Sequence, residues 1–439
     1  MSQAHNVIGY LSADSGLAQS ARSLHHHLAR NGAKVRGTVL SLGDDRTGRV
    51  AFPEHEATDS SGAGGVEIQW VHVNPPEFDA SWGANNPDQI QDPHSFKIAV
   101  PYWELEKIPS DWVESLNAMD AVCAPTEFIA DAMKASGVTV PIVQAPLLFH
   151  EPQKELPLGD RAKFGLPSDG FLFLTHFDLS SDPSRKNPEA AVRAFAEAFG
   201  SGWSGPEAHL IVVMNNPGKL EGASAIIDTI RAETQEFSNI HWRSGHIPDE
   251  DLATFQASFD AVISLHRAEG LGLVPLEMMA QGKPAVVTGY SGNLAYCTTE
   301  NACLVPFEKV PVEVIHPVYI QALEEHPELT WAEADTSAAA DQMRRLVQDE
   351  NWATQLGQKA RESVCKAALV DWHGFIEEVE GLAREARPAT PEQWTKRYSW
   401  CSCPWVPGVA HLLPWRQRWG MRWSDYKRKK GWNFAIFKR

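Results

Sequence analysis

Two glutamates, Glu269 and Glu277, stand eight positions apart in the segment L-H-R-A-E-G-L-G-L-V-P-L-E. A helix is expected to begin near Pro275, because proline suits the first helical position, and a helix N-terminus attracts anions such as a diphosphate. Gly270 and Gly272 let the backbone approach a bulky anion closely. A carboxylate repels a phosphate, so the glutamates are expected to accept hydrogen bonds from hydroxyl groups. A sugar nucleotide carries hydroxyls on both sides of its diphosphate, and the pattern predicts a site for such a molecule.

Two cations, Arg185 and Lys186, precede an Asn187-Pro188 pair at which a helix is expected to start. Cations at a helix N-terminus oppose the helix dipole, so a nearby anion would explain them. An arginine and a lysine at this point could neutralise a departing diphosphate. The alternative is that both are solvated charges on the surface.

Apolar strands alternate with helical stretches over most of the chain, which predicts an α/β fold with doubly wound parallel sheets. We expect a first domain over residues 1–148, a proline-containing linker over 149–168 and a second domain over 169–387. A long amphipathic helical stretch at 337–383 closes the second domain. Ligands bind at the carboxyl ends of parallel strands, so the loops after the strands should hold the site.

The segment E-G-L-G-L-V-P-L-E resembles the E-x7-E signature of retaining GT-B glycosyltransferases of the family-4 type, the glycosyl transferases group 1. Residues 171–195, 290–294, 14–17 and 102–112 resemble further parts of that family, so that the resemblance covers roughly residues 5–385. It implies two Rossmann-like domains that face each other across a cleft, a nucleotide diphosphate sugar as co-substrate, and no other cofactor and no required metal.

The resemblance also implies roles around the donor. It implies that Glu277 accepts a hydrogen bond from the ribose and that Glu269 contacts the transferred sugar. It also implies that Arg185 and Lys186 contact the diphosphate. Backbone N–H groups for the phosphate or the sugar would come from Gly270, Leu271 and Gly272. One departure stands out: many family members have Gly-Arg at the end of the first strand of the donor domain, where this chain has Thr175-His176. One expected cation is therefore missing or is replaced by His176.

Three further residues are expected near the donor, and two of them have a plainer alternative. Gly16 resembles the family loop that faces the diphosphate across the cleft, or it is a simple turn. His246 follows a predicted strand at the place where the family binds the nucleobase. Asn293 could bond donor oxygens, or it could be a turn residue that tolerates a left-handed conformation.

The first domain is expected to hold the acceptor. His72 and Asn74 follow one predicted strand and Trp103 and Glu104 follow the next, so all four should project toward the cleft. An aromatic ring beside a carboxylate at a strand end suits a sugar. The alternative is that Trp103 anchors the core and Glu104 caps the next helix.

Composition limits the other possibilities. A chain of 439 residues suits two or three domains, and no stretch approaches the roughly 20 apolar residues of a membrane-spanning helix. Residues 1–6 lack the features of a signal peptide, and six scattered cysteines favour a reducing cytoplasm over a disulfide framework. A net charge of −17 argues against nucleic acid as a partner. Cys401 and Cys403 have no second pair at zinc spacing, and no metal is expected.

Residues 388–439 form a basic tail with eleven Lys and Arg against two Asp and Glu. The tail contains seven of the sixteen tryptophans, and Trp415, Trp419 and Trp423 would share one face of a helix. Such a segment suits an anionic membrane surface, which would make the protein peripheral at the membrane. It suits equally well a crossover that packs on the acidic first domain.

Together with the resemblance, from which retention and metal independence follow, these observations predict a retaining, metal-independent glycosyltransferase. It would move a sugar from a nucleotide diphosphate sugar to a hydroxyl of a sugar, lipid-linked or protein acceptor. Synthesis of a polysaccharide, another glycan or a glycolipid is the expected setting. Two alternatives stay open: a sugar-nucleotide or glycan binding protein without turnover, and an epimerase or phosphorylase on the same fold.

Overall fold

The computed structural model describes residues 3–41, 48, 50–52, 66–78, 92, 94–150, 155–216 and 220–386. Within these ranges no helix is both long and apolar enough to cross a membrane. The basic tail predicted at 388–439 lies outside the described residues.

The first sheet has, over the described residues, six parallel strands in the order β2-β1-β3-β4-β5-β6. The strands are β1 (Ala4–Gly9), β2 (Lys34–Val39), β3 (Glu67–His72), β4 (Ser95–Ala99), β5 (Ala121–Ala124) and β6 (Ile142–Gln144). Every residue of β4 and β5 is buried. Parallel strands covered on both faces are largely apolar, which makes such runs recognisable in the sequence, although β4 also buries Ser95 and Lys97.

The second sheet also has six parallel strands among the described residues, in the order β12-β11-β10-β7-β8-β9. They are β7 (Phe171–Asp178), β8 (Ala208–Asn215), β9 (Ile240–Ser244), β10 (Ala261–Ser264), β11 (Ala285–Thr288) and β12 (Cys303–Val305). In both sheets the strand order reverses near the first strand of the domain, so each has a switch point where a cleft forms at the carboxyl ends. The predicted doubly wound parallel architecture is confirmed.

Helices cover these sheets and connect their strands. They are α1 (Gly16–Arg30), α2 (Ser110–Asn117), α3 (Glu127–Ser136), α4 (Pro183–Lys186), α5 (Pro188–Phe199), α6 (Ala223–Glu233), α7 (Asp249–Ala257) and α8 (Leu273–Ala280). Side-chain caps begin several of them: Ser15 accepts from the N–H of Ala18 at the start of α1, and Thr126 accepts from the N–H of Ile129 at the start of α3.

The helical stretch predicted at 337–383 consists of separate helices. These are α10 (Thr336–Gln348), α11 (Glu350–Ala368) and α12 (Trp372–Glu385). An aspartate begins each of the last two: Asp349 accepts from the N–H of Trp352 and Asp371 from that of Gly374. An aspartate satisfies free N–H groups at an N-cap, and the chain turns at both positions.

Helix α12 returns to the first sheet. Its buried face lies in one hydrophobic cluster with residues of β1, β3 and β4; the helix contributes Trp372, Phe375, Ile376, Val379 and Ala383. The Trp372 ring stacks on His27 of α1, with 4.3 Å between ring centroids. A helix that follows the second sheet in the chain thus completes the core of the first.

Residues 306–335 form an element that the sequence analysis did not predict, which we call the strap. It contains β13 (Phe307–Pro311), α9 (Pro317–Glu325) and β14 (Thr330–Ala334), and the two strands pair antiparallel. The strap follows the last strand of the second sheet, yet Tyr319 and Trp331 pack in the same cluster as Trp103 and Trp112. This apolar contact joins the two halves of the molecule beside the cleft.

Candidate functional site

A cavity of about 690 Å³ lies between the two sheets, at the carboxyl ends of their strands. Its volume is within the range typical of small-molecule sites. Twelve of the residues singled out in the sequence line it: Gly16, Asn74, Glu104, His176, Arg185, Lys186, His246, Glu269, Gly270, Leu271, Gly272 and Glu277. The fold therefore brings together residues that are up to 261 positions apart, as the loops after parallel strands are expected to do.

Helix α8 begins at Leu273, two residues before the predicted start at Pro275. Gly272 is its N-cap and has a φ of 82°, a left-handed conformation that favours glycine. The Tyr296 hydroxyl donates to the Gly272 carbonyl at 2.5 Å and fixes this turn. No side chain caps the helix, so its first N–H groups stay available on the cavity side, as an anion site requires.

Glu269 is buried in the loop before this helix, and two cations bind its carboxylate. Lys186 Nζ is 2.5 Å from Oε1, and Arg185 Nη1 is 3.1 Å from Oε2. The backbone N–H of Glu269 donates to Ser291 Oγ at 2.8 Å, which fixes the residue from behind. Burial alone would raise the pKa of Glu269, but the charges of Lys186 and Arg185 lower it to about 2. The carboxylate is therefore ionised at neutral pH.

Arg185 and Lys186 lie on α4, a single turn capped by Asp182. Arg185 has only 4% of its side chain exposed; its guanidinium donates to the Ala268 carbonyl at 2.8 Å and to Ser181 Oγ at 2.6 Å, besides Glu269. Lys186 is more open, at 23%. The alternative that both are solvated surface charges is wrong. The anion nearest to them in the structure is Glu269.

Glu277 is on the first turns of α8 and bonds to both halves of the molecule. Its Oε1 accepts from Gln19 Nε2 at 2.7 Å, and its Oε2 accepts from Gln256 Nε2 at 2.5 Å. Burial raises the pKa of Glu277, and the two amide hydrogen bonds only partly counteract this effect. The ionised carboxylate is thus destabilised by burial while it accepts two hydrogen bonds. Such an unfavourable environment is typical of a residue with a role in binding.

His176 lies near the end of β7, at a position where the family that the sequence resembles often has an arginine. Burial lowers the pKa of His176 to about 4, so the ring is neutral at pH 7. The alternative that His176 replaces the expected cation is therefore wrong, and the Lys and Arg side chains that this domain contributes to the cavity lining are Arg185 and Lys186. His246 lies farther along the wall and its Nδ1 is 2.9 Å from Asp14 Oδ2 of the first half.

The first domain contributes Asn74 and Glu104 to the cavity wall. Asn74 Oδ1 accepts from the backbone N–H of Tyr102 at 2.8 Å, so its amide nitrogen is the group left to meet a ligand. Glu104 Oε2 accepts from the Tyr319 hydroxyl of the strap at 2.7 Å, and its Oε1 is 3.7 Å from Arg185 Nη2. The first-domain wall thus reaches the cation cluster that surrounds Glu269.

Three predicted side chains do not line the cavity, which corrects the expectation that they face it. Trp103 is buried between Trp112 and Tyr319 and donates to the Lys107 carbonyl at 2.9 Å, so it anchors the core. His72 is also fully buried, 3.0 Å from Ser20 Oγ.

The third is Asn293, whose amide supports the loop around Glu269. It donates to the Thr288 carbonyl at 2.9 Å, and its Oδ1 is 3.1 Å from His266 Nε2. Asn293 does not have the left-handed conformation of a turn residue either, since the positive φ in this loop belongs to Ser291, at 76°.

Sequence reasoning missed the partners that hold these residues. Gln19 lies one helical turn after Gly16, and this spacing alone could have indicated that it faces the cleft. Gln256 and Tyr319 carry no comparable signal, because each reaches the site from an element whose packing the sequence does not indicate. Among the described residues, no group of three or more His, Cys, Asp or Glu side chains is arranged to hold a metal ion.

Comparison with known proteins fits this geometry. Residues 182–318, which contain α4, both cations and both glutamates, match the family model of glycosyl transferases group 1. No curated protein matches the chain by sequence. Among solved structures, the chain is similar to a sucrose-phosphate synthase from Thermosynechococcus elongatus, with 18% identity, 87% of this chain and 98% of that chain covered, and a TM-score of 0.58. It is also similar to OtsA in its apo structure, with 12% identity, 74% of each chain covered and a TM-score of 0.51.

The similar structures identify the fold, and the family model identifies the segment 182–318. The chain has the GT-B fold, with two parallel-sheet domains of six strands each over the described residues. The match over 182–318 supports a glycosyltransferase, an enzyme of sugar transfer, as the class to which its site belongs.

Proposed function

We propose that the protein is a retaining, metal-independent glycosyltransferase that moves a sugar from a nucleotide diphosphate sugar to an acceptor hydroxyl. The observation that carries this proposal is the position of Glu269 and Glu277, which open onto one cavity on either side of the N-terminus of α8. A diphosphate at the helix N-terminus would have its ribose near Glu277 and its sugar near Glu269. Both carboxylates would then accept hydrogen bonds from hydroxyl groups of the donor, in addition to or in place of their present partners.

Lys186 is proposed to stabilise the leaving diphosphate. Its ammonium group is in the cavity wall with 23% of the side chain exposed, whereas Arg185 lines the same cavity with only 4% exposed. As the bond between the sugar and the diphosphate breaks, negative charge grows on the phosphate oxygens. A fixed cation in a site of low dielectric then stabilises the transition state more than the bound donor.

Glu269 is proposed to orient the transferred sugar and not to act as a nucleophile. Both of its oxygens already bind cations, and a carboxylate with a pKa of about 2 is a weak base. The acceptor proton would instead go to an oxygen of the leaving diphosphate. The acceptor oxygen bonds to the anomeric carbon on the face that the diphosphate leaves, so the configuration is retained.

The acceptor is proposed to be a sugar, a lipid-linked glycan or a protein, bound along the wall formed by Asn74 and Glu104. Synthesis of a polysaccharide, another glycan or a glycolipid would be the setting. A basic tail at 388–439 that contacts a membrane surface would place the enzyme next to a lipid-linked acceptor.

The test is a panel of sugar nucleotides, with release of nucleoside diphosphate and mass of the products as readouts. We expect Lys186→Met to lower kcat more than it raises KM for the donor. Lys163→Met is a matched control, because Lys163 carries the same charge in a surface ion pair with Asp251 outside the cavity. Binding of a sugar nucleotide without any release of nucleoside diphosphate would instead support the non-catalytic alternative.

A further inference from the structure

Both walls of the cavity contain more carboxylates than cations. The first domain provides the carboxylates of Asp14 and Glu104. The second domain provides Arg185 and Lys186 together with four carboxylates, those of Asp178, Asp249, Glu269 and Glu277. Among the described residues, Arg22 is the single Lys or Arg that the first domain contributes to the wall. The wall along which an acceptor must lie therefore has no excess of positive charge, and the facing wall does not supply one.

The first-domain cation is already engaged. Arg22 Nη1 donates to the carbonyls of Leu11 and Ala13 at 3.1 and 2.8 Å, and its Nη2 is 3.9 Å from Asp249 Oδ2 of the second domain. His150 is also in the wall, but burial lowers its pKa to about 4, so the ring is neutral at pH 7. Neither residue offers an uncommitted positive charge to an acceptor.

Glu104 is held in one orientation from two sides. The Tyr319 hydroxyl of the strap binds Oε2 at 2.7 Å, and Oε1 is directed toward Arg185, whose Nη2 is 3.7 Å away. Arg185 is itself bound to Glu269. Glu104 therefore lies beside the residues proposed to hold the transferred sugar, where the reacting hydroxyl of an acceptor must also lie. A carboxylate at this point attracts a hydroxyl and repels a phosphate.

We infer that the acceptor is an uncharged, hydroxylated ring, a neutral sugar or polyol, and that Glu104 Oε1 accepts a hydrogen bond from one of its hydroxyls. This inference rests on the proposed sugar transfer. Phosphorylated sugars are excluded, because Glu104 would repel their dianion and the cations of the lining are already engaged: Arg185 and Lys186 with Glu269, and Arg22 with two carbonyls. Tyr319 is a positioning residue, since it keeps the Glu104 carboxylate turned toward the cavity.

The test compares matched acceptors with the sugar nucleotide that the enzyme uses. The pairs are the methyl α-glycosides of glucose, galactose and mannose and the 6-phosphate of each. We expect kcat/KM to be at least about tenfold higher for the neutral member of a reactive pair. A phosphorylated member that reacts equally well, or a failure of every neutral member, would overturn the inference.

Variants of Glu104 supply the second readout. Glu104→Gln should raise KM for the neutral acceptor about tenfold and leave KM for the donor near that of the wild type. It should also reduce the ratio of kcat/KM for the neutral acceptor to kcat/KM for its 6-phosphate. Tyr319→Phe should produce a smaller change in the same direction. If Glu104→Gln changes neither KM nor the discrimination, the inference is wrong.

Glu106→Gln is the matched control. Glu106 is in the same loop, is 45% exposed and pairs with Lys309 and the Tyr290 hydroxyl outside the cavity. It removes the same charge from the protein, so an effect of overall charge would appear in both variants. If no sugar nucleotide releases nucleoside diphosphate at all, the proposed sugar transfer fails as well. If release occurs but neutral acceptors are not preferred, only the present inference fails.

Discussion

Gln19 Nε2, on the first helix of the first domain, donates a hydrogen bond of 2.7 Å to Glu277 Oε1 on the opposite side of the cleft. Glu277 is the residue proposed to bind the ribose, so a ribose hydroxyl must share this oxygen with Gln19 or displace it. The bond also ties nucleotide binding to the approach of the two domains, because its donor and its acceptor belong to different domains.

Replacement of Glu277 by glutamine should weaken the binding of nucleoside diphosphate without lowering the thermal stability of the fold. Loss of a hydrogen bond to a charged acceptor should weaken nucleoside diphosphate binding by about 1.5–3 kcal/mol, measured by calorimetry. Burial raises the pKa of Glu277, so its ionised form costs stability at neutral pH, and this cost disappears below the ordinary pKa of a glutamate. Glu277→Gln should therefore have an unchanged or higher Tm at pH 7. Unchanged nucleotide affinity in a folded variant would remove Glu277 from the donor site.

Glu269 should show the opposite dependence on pH. Its pKa is lowered to about 2 from an ordinary value of 4.5, so its ion pairs stabilise the fold fully above about pH 4.5 and lose this contribution as the pH falls toward 2. We expect Glu269→Gln to lower the free energy of unfolding by on the order of 3 kcal/mol at pH 7.

Denaturant titration should show that the difference in free energy of unfolding between the wild type and Glu269→Gln is constant between pH 7 and pH 5. The difference should narrow only below about pH 4.5, because the wild-type carboxylate then begins to lose its advantage. Curves that already converge above pH 5 would mean that Lys186 and Arg185 do not hold Glu269 ionised.

Gly272→Ala should disturb the N-terminus of α8. An alanine at a φ of 82° is strained by about 1–2 kcal/mol, and its Cβ would lie 2.9 Å from the Tyr296 hydroxyl. A displaced anion site should lower kcat/KM for the donor by about tenfold to a hundredfold. Gly202→Ala is the control, since Gly202 has a φ of 98° but no atom within 4 Å of the added Cβ. It should lower Tm through strain alone, and equal kinetic losses in both variants would contradict the role of Gly272.

A chain that ends at Arg387 should keep its fold. Helix α12, with Trp372 and Phe375 in the first core, ends at Glu385 and stays intact in such a chain. If residues 388–439 do not pack on the first domain, we expect an unchanged Tm. If 388–439 bind a membrane surface, the full chain should bind phosphatidylglycerol vesicles and release them as salt rises, whereas the shortened chain should not bind. A large loss of Tm would instead mean that the tail packs on the first domain.

Much of the fold could be predicted because each strand is determined by a short segment of the sequence. Strands such as β5 and β10 are short apolar runs between turn residues, and the segment from Glu269 to Glu277 follows β10. Since the carboxyl ends of parallel strands meet in one cleft, twelve of the fifteen predicted site residues line the cavity.

The errors come from contacts between distant parts of the chain. Trp103 and Glu104 are neighbours in one loop, and only the packing of Tyr319, more than 200 positions away, decides that Trp103 is buried while Glu104 faces the cavity. The strap could not be predicted for a related reason. Its strands alternate exposed and buried positions weakly, and its apolar residues serve the core of the other domain.

The most direct measurement is proton NMR of the reaction over time, with the sugar nucleotide that the panel identifies and a neutral acceptor. The proposed mechanism predicts that the donor anomeric signal decays while free nucleoside diphosphate and a glycoside of the same anomeric configuration appear together. Glu269→Gln and Lys186→Met should slow all three changes in parallel. A product of inverted configuration, or a donor that stays intact in the presence of every acceptor, would contradict retaining sugar transfer.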